Sequence, residues 1–307
     1  MLDHEQRYCF TYEGLESLSG LRFLEVEGSM RNFDAEERLR WHESPSNVLP
    51  TNENSVLLPR LRWLSWRCFP PTLNIANFFV EDLVILNLSW SKITDDWKGW
   101  SHMKVMKNLK VLNLSYCDSL QRLPDEPGRG LASLEYVSLS FCSSLKRLPD
   151  SIGNMKSPIE LDISYSGIGE LPDSIRKLKN LKRLKMQGSK ISKIPDTLWM
   201  IEKLEEIDAS NISPKFHVNI GNCIHKNESL RILKLFSAEI HLLARLPESL
   251  VTLSLGSLEM DTFPDLSNLT NLKELDLRFS FLDSDGESYG ETDVLWKNIR
   301  YHSGLGT

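Results

Sequence analysis

No stretch of this chain approaches the roughly 18 to 20 consecutive apolar residues that a membrane span requires. The opening residues, MLDHEQRYCFTYEGL, contain no apolar core of signal-peptide length. The expected compartment is therefore the cytoplasm, with the nucleus also open to the protein. Positive charge is not in excess: charged residues make up 25% of the chain and the formal net charge is -6. That balance argues against a nucleic-acid partner. A phosphate-cradling loop of the form G-x-x-x-x-G-K-[ST] is absent, so no nucleotide site can be assigned and no cofactor is expected. Histidines are few and scattered. His102, His217, His225 and His241 show no metal-ligand spacing, and none of the five cysteines lies in a C-x-x-C pair, so no metal site is expected. No Ser/His/Asp or Cys/His arrangement can be argued. The reading is a non-enzymatic protein with no small-molecule substrate and no catalytic residues.

What is abundant is leucine in a fixed rhythm. The pattern L-x-x-L-x-L, or an apolar substitute, returns eleven times at intervals of roughly 20 to 26 residues. It is clearest at Leu109-x-x-Leu112-x-Leu114, Leu134-x-x-Val137-x-Leu139, Leu181-x-x-Leu184-x-Met186 and Leu272-x-x-Leu275-x-Leu277. The first positions fall at Leu21, Leu61, Leu83, Leu109, Leu134, Pro158, Leu181, Leu204, Leu230, Leu250 and Leu272. This is the signature of leucine-rich repeats. Each unit is a short strand with a return segment, unable to bury its apolar edge until its neighbours stack on it. The expected fold is an α/β solenoid, a horseshoe with a parallel β-sheet on the concave face. Short helices, 3-10 turns and loops would form the convex face. Residues 1–20 form a lead-in and 21–282 one repeat domain. The long step after Leu21 is an inserted surface loop near 35–57, and 283–307 form an irregular tail.

Strand residues alternate faces, so the second, fourth and sixth residues after each first leucine point to the concave side, with the seventh at its rim. Down the seventh column stand Trp90, Tyr116, Phe141 and Tyr165. Rungs about 4.8 Å apart would join these rings into one aromatic stripe. Such a stripe either anchors a partner or seals the edge by stacking on itself. A second set is charged: Glu160 and Asp162 face Lys182, Arg183 and Lys185. These in turn face Glu205, Glu206 and Asp208, followed by Arg231 and Lys234. A ladder in which each charge meets its opposite fixes strand neighbours more than it attracts a ligand.

The eighth column turns inward. Cys117 and Cys142 occupy it in successive repeats, and Ser91, Ser166 and Ser189 elsewhere; the polar atom is expected to bond the backbone at the bend. Free buried thiols are the expected state of the two cysteines. The return segments carry an apolar-proline pair, as in Leu123-Pro124, Leu148-Pro149, Leu171-Pro172, Ile194-Pro195 and Phe263-Pro264. After it come D-S-I-G-N at 150, D-S-I-R-K at 173 and D-T-L-W-M at 196, read as short helix starts with the aspartate at the cap. Trp97 and Trp100 sit in one return segment and are expected to pack in the outer layer. Matches to N-x-S/T at Asn87, Asn113, Asn211, Asn227 and Asn268 are taken as chance.

The run Leu61 to Trp100, LRWLSWRCFPPTLNIANFFVEDLVILNLSWSKITDDWKGW, resembles the opening of the repeat region of plant intracellular immune receptors of the TIR-NB-ARC-LRR class. Residues 94–112, TDDWKGWSHMKVMKNLKVL, are similar to the flax rust-resistance type. SYCDSLQRLP at 115 and SFCSSLKRLPDSIGN at 140 follow the same wording. The L-x-G-x-I-P motif of secreted plant repeats is absent. The resemblance implies a recognition module that senses a pathogen effector or holds the receptor's NB-ARC domain inactive, and it makes Trp97 and Trp100 candidates for a contact with that domain. TIR and NB-ARC domains are missing from this chain, which reads as a truncated or fragmentary relative. The alternative is a free-standing cytosolic scaffold of the Ras-group leucine-rich-repeat type, against which the drifting period counts.

Overall fold

The computed structural model describes residues 14–15, 17–27, 58–69, 81–104, 106–125, 132–210, 218–236, 245–258, 266–279 and 297–302, the last as backbone alone. The chain forms two compact units, Met1–Ser144 and Leu145–Thr307. Sequence periodicity suggested one domain. In a repeat stack each coil packs only on its neighbours, so compactness is a local property.

In the first unit, β1 (Phe23–Val26), β2 (Trp63–Trp66), β3 (Ile85–Asn87), β4 (Val111–Asn113) and β5 (Tyr136–Ser138) pair in chain order, all parallel. In the second, β6 (Glu160–Asp162), β7 (Arg183–Lys185), β8 (Glu206–Ala209), β9 (Ile232–Phe236), β10 (Thr252–Leu258) and β11 (Glu274–Phe279) do the same. A last strand, β12 (Lys297–His302), pairs antiparallel with β11. The stretch 283–307, expected to be irregular, therefore contains a strand. By pairing with β11, β12 covers an edge that would otherwise be open, and an edge left open is a template for another chain. The inserted loop near 35–57 and the Phe263-Pro264 pair lie outside the described residues, as do Cys9, His217, His241 and Asn211.

The register follows the leucine pattern. Within each pair the third positions face each other across the strands: Leu64 and Leu86, Leu86 and Leu112, Leu161 and Leu184, Leu184 and Ile207. First, third and fifth positions are buried from Leu61 through Leu255. Each such side chain contributes about 1.5–3 kcal/mol by leaving water. Strands this short cannot stand alone, so the hydrogen-bond ladder is prolonged past them. The fifth-position N–H of Leu88, Leu114 and Met186 donates to the fourth-position carbonyl of the next coil at 2.8–2.9 Å.

The return segments tighten into 3-10 turns at Asp150–Asn154, Asp173–Lys177 and Asp196–Met200, where the D-S/T signals stand. The aspartates do not cap them. Pro149, Pro172 and Pro195 hold the cap position in extended backbone and the turn has no side-chain cap. The proline carbonyl instead accepts the first N–H, as from Ile152 to Pro149 at 3.0 Å. Proline fits because that position needs an acceptor and no donor. An α-helix, α1 (Gly99–Met103), follows Trp97. No helix of the described residues is long and apolar enough to cross a membrane.

Candidate functional site

The seventh column has a property that its residue types conceal. Cys68, Trp90, Tyr116, Phe141, Tyr165 and Gly188 all have positive φ, between 54° and 64°. Left-handed backbone costs a side-chain-bearing residue roughly 1–2 kcal/mol. The coil demands it, because that twist lets the seventh N–H donate to the sixth carbonyl of the next coil. Trp90 so bonds Ser115, Tyr116 bonds Ser140 and Gly188 bonds Ser210, at 2.8–2.9 Å. Stacking offsets the strain. Trp90 and Tyr116 lie 3.7 Å apart at 8°, and Tyr116 and Phe141 lie 4.3 Å apart at 4°. Pairs of rings are worth about 0.5–1.5 kcal/mol beyond their burial. The ring faces are turned to one another and all three residues are half-buried. In the second unit Tyr165 is exposed and its ring lies across Gly188, where a Cβ would fall 2.5 Å from two ring carbons.

The fourth column also differs from its expected role. Asn87, Asn113, Asp162 and Asp208 each turn a side-chain oxygen back to the N–H two residues on, at 2.9–3.1 Å. Ser115 and Ser210 add their hydroxyls, both at 2.6 Å. This Asx bend ends the strand. It explains the N-x-S matches at 87 and 113: asparagine bends the chain and serine completes the bend. Asp162, expected to face a basic side chain, stands opposite Lys185 in register and also makes this bend.

The charged ladder forms ion pairs at part of its length, with Glu206 opposite Arg183 in register. Glu160 binds both Arg183 at 2.7 Å and Lys185 at 2.6 Å. Lys182 meets Glu205 at 2.7 Å, and Asp208 meets Lys234 at 3.3 Å. Arg231 instead donates to the Ser249 carbonyl at 3.1 Å. Burial pushes the Glu160 carboxyl up, but the hydrogen bonds and charges of Lys185 and Arg183 together outweigh it and hold it below the ordinary range. At Asp208 burial is again outweighed, here by the bonds from Ser210 and Gln187 and by Lys234. Hydrogen bonding to Glu160 raises Lys185.

Sequence reasoning passed over the second column of the first unit. Phe23, Trp63, Ile85, Val111 and Tyr136 stand in register on successive strands. Phe23 is 63% exposed, Trp63 39% and Tyr136 38%. Phe23 and Trp63 touch edge to face at 5.9 Å. A contiguous apolar column on an open sheet face is the kind of surface that marks a protein contact. The signal was present in the sequence: these are second positions, already assigned to the open face.

Other residues are structural in placement. Cys117 and Cys142 are free, buried thiols. They donate not to their own bend but to Leu88 and Leu114 of the preceding coil, at 3.5 and 3.1 Å. Burial pushes them up to about 12 and about 11. Ser166 does bond its own bend, at Ile163, at 2.7 Å. Trp97 and Trp100 meet at a right angle 5.2 Å apart. Trp100 is buried and donates to the Thr94 carbonyl at 3.0 Å. The Trp97 ring folds over Gly99, where a Cβ would come within 2.3 Å of it.

Residues 89–259 match the family described as leucine-rich repeat region. The chain belongs to that family. Its fold is that of a protein-interaction scaffold. Over 138 residues, 38% of this chain, it is 30% identical to disease resistance protein LAZ5 of Arabidopsis thaliana. A second Arabidopsis thaliana disease resistance protein is 37% identical over 73 residues, 24% of the chain. These stretches span 11% and 6% of the relatives' own length. The resemblance to the repeat region of plant resistance proteins is thus borne out. Among solved structures, a leucine-rich-repeat protein of Leptospira interrogans shares the fold at a TM-score of 0.61. It is 20% identical, with 87% of this chain and 64% of that one covered. The ectodomain of the Arabidopsis thaliana membrane receptor kinase GASSHO1/SCHENGEN3 aligns at 0.50 and 19% identity, over 72% and 31%.

Proposed function

We propose that this chain is the recognition module of a plant intracellular immune receptor, acting in the cytoplasm without catalysis of its own. It senses a pathogen effector, holds a nucleotide-binding NB-ARC domain inactive, or does both. The apolar second column of the first unit carries this reading. Phe23, Trp63 and Tyr136 keep large rings in water, a cost that a partner would remove. Disease-resistance relatives support the receptor context. The rim rings Trp90, Tyr116 and Phe141 serve as a stacked seam beside that column, with Tyr165 the most accessible of the seventh-column aromatics. Trp97, half-buried on the outer layer, is the candidate for contact with a neighbouring receptor domain.

The test is direct binding of the full chain to two kinds of protein, a recombinant nucleotide-binding domain from a resistance relative and a panel of secreted pathogen proteins. Saturable binding to either, weakened by Phe23→Ala with Trp63→Ala, supports the reading. Binding to neither, or binding indifferent to that double variant, removes it in favour of a scaffold of the Ras-group type.

A further inference from the structure

The open face of the second unit contains a cleft of about 340 Å³, within the roughly 300–1,000 Å³ range of ligand sites. It exists because β10 presents only Thr252, Ser254 and Gly256 there. These small, uncharged residues lie between long charged side chains on β9 and β11. Its charged lining is Asp208, Glu274 and Asp276 against Lys234 and Arg278. Lys234 is held by Asp208 at 3.3 Å, and Arg278 by Asp276 at 3.1 Å. On the earlier strands Glu160 and Glu205 each meet a cation. Among the described side chains Glu274 meets none, since β10 offers no cation. Among the described residues its carboxylate accepts only the Thr252 hydroxyl, at 3.3 Å. The neighbouring rung is under-bonded too: Asp276 Oδ1 and Arg278 Nε are covered and have no hydrogen-bond partner among the described residues. In register, β12 sets Arg300 beside Asp276 and His302 beside Glu274, so basic residues adjoin this acidic pair on one side only.

We infer that the cleft receives an arginine side chain from a protein partner, supplying the cation that β10 lacks. This rests on the recognition reading only for the partner being a protein. A guanidinium laid over Ser254 offers two parallel N–H donors to the Glu274 carboxylate, the geometry that makes arginine the preferred bidentate partner of a carboxylate. The Thr252 and Ser254 hydroxyls accept its remaining donors, and the Asp208–Lys234 pair stays intact. A lysine, with a point charge and no fork, would bind more weakly.

The experiment titrates the full chain with the blocked peptide acetyl-Gly-Arg-Gly amide, its lysine and glutamate counterparts, and free arginine. Glu274→Gln and the exposed control Glu228→Gln are measured beside the native chain. The expected result is saturable binding ordered arginine, lysine, glutamate, weakened about tenfold by Glu274→Gln and unchanged by Glu228→Gln. Both positions are exposed, so both variants should fold; an unchanged circular-dichroism melt verifies this. Equal losses in the two variants would mean unspecific attraction to an acidic protein and overturn the proposal. So would glutamate binding as well as arginine, or no saturation. Free arginine binding as tightly as the peptide would overturn the protein partner and leave a small-molecule site. None of these failures touches the apolar column, whose test is separate.

Discussion

On the same scaffold, with the same buried leucines, the two units present opposite chemistry at one position. The second residue of each strand's coil reads Phe23, Trp63, Ile85, Val111 and Tyr136 in the first unit. In the second unit it reads Glu160, Arg183, Glu206, Ile232, Thr252 and Glu274. The first unit leaves its face apolar and unsatisfied. The second pairs many of its charges across neighbouring strands, and the column turns uncharged at Ile232 and Thr252. A repeat fold makes this separation easy: the inward positions hold the coil, so the outward ones are free to differ.

The largest expected effect is the one that should not distinguish the units. Leu112→Ala in the first and Leu184→Ala in the second each empty a buried third position. Each should cost about 2–5 kcal/mol in a denaturant melt. A loss confined to one of them would break the idea of a shared core.

Next in size is the seam. Tyr116 stacks on both Trp90 and Phe141, so Tyr116→Ala should cost roughly 1–3 kcal/mol from two lost ring contacts. Alanine keeps the left-handed strain and glycine does not. Tyr116→Gly should therefore be the more stable of the two by about 1 kcal/mol, the reverse of the usual order in ordered structure. Equal melts would mean that the positive φ is not under strain.

The smallest effect separates the units by pH. Glu160 and Asp208 are held below their ordinary values in the folded state. Their contribution is present above the unfolded carboxylate range, about pH 4, and is lost as pH falls through the lowered folded values. Lys185, raised, contributes below its unfolded value and loses that only in strong alkali. Hydrogen exchange followed down the acid range should show the second unit loosening first. The difference should be about 0 to 1 kcal/mol per pair and shrink in high salt. Simultaneous loosening of both units would contradict the ladder's role.

Much of this was legible in the residues, for a physical reason. A buried position in a repeating coil admits only a few side chains, so Leu61, Leu64 and Trp66 announce one coil and Leu181, Leu184 and Met186 another. The proline-aspartate wording located the 3-10 turns, although proline and not aspartate holds the cap. The ladder partners of Glu160, Lys182 and Asp208 followed from strand adjacency. The left-handed seventh column was hidden because tyrosine, tryptophan and phenylalanine seldom adopt that backbone; Gly188 in the same column was the sign. The Asx bends at Asn87 and Asn113 were masked by their likeness to a glycosylation motif. The cleft could not be foreseen, since it depends on three small residues of β10 lying between particular long ones. Nor could β12, whose pairing follows no repeat.

The most direct measurement compares two variants against one protein partner found by binding to the full chain: Trp63→Ala, and joint charge reversal of Lys182, Arg183 and Lys185. The account predicts that Trp63→Ala lowers affinity by about 2 kcal/mol or more, as a buried aromatic anchor should, while the charge reversal changes it little. Affinity lost with the reversed charges and kept without Trp63 would contradict it.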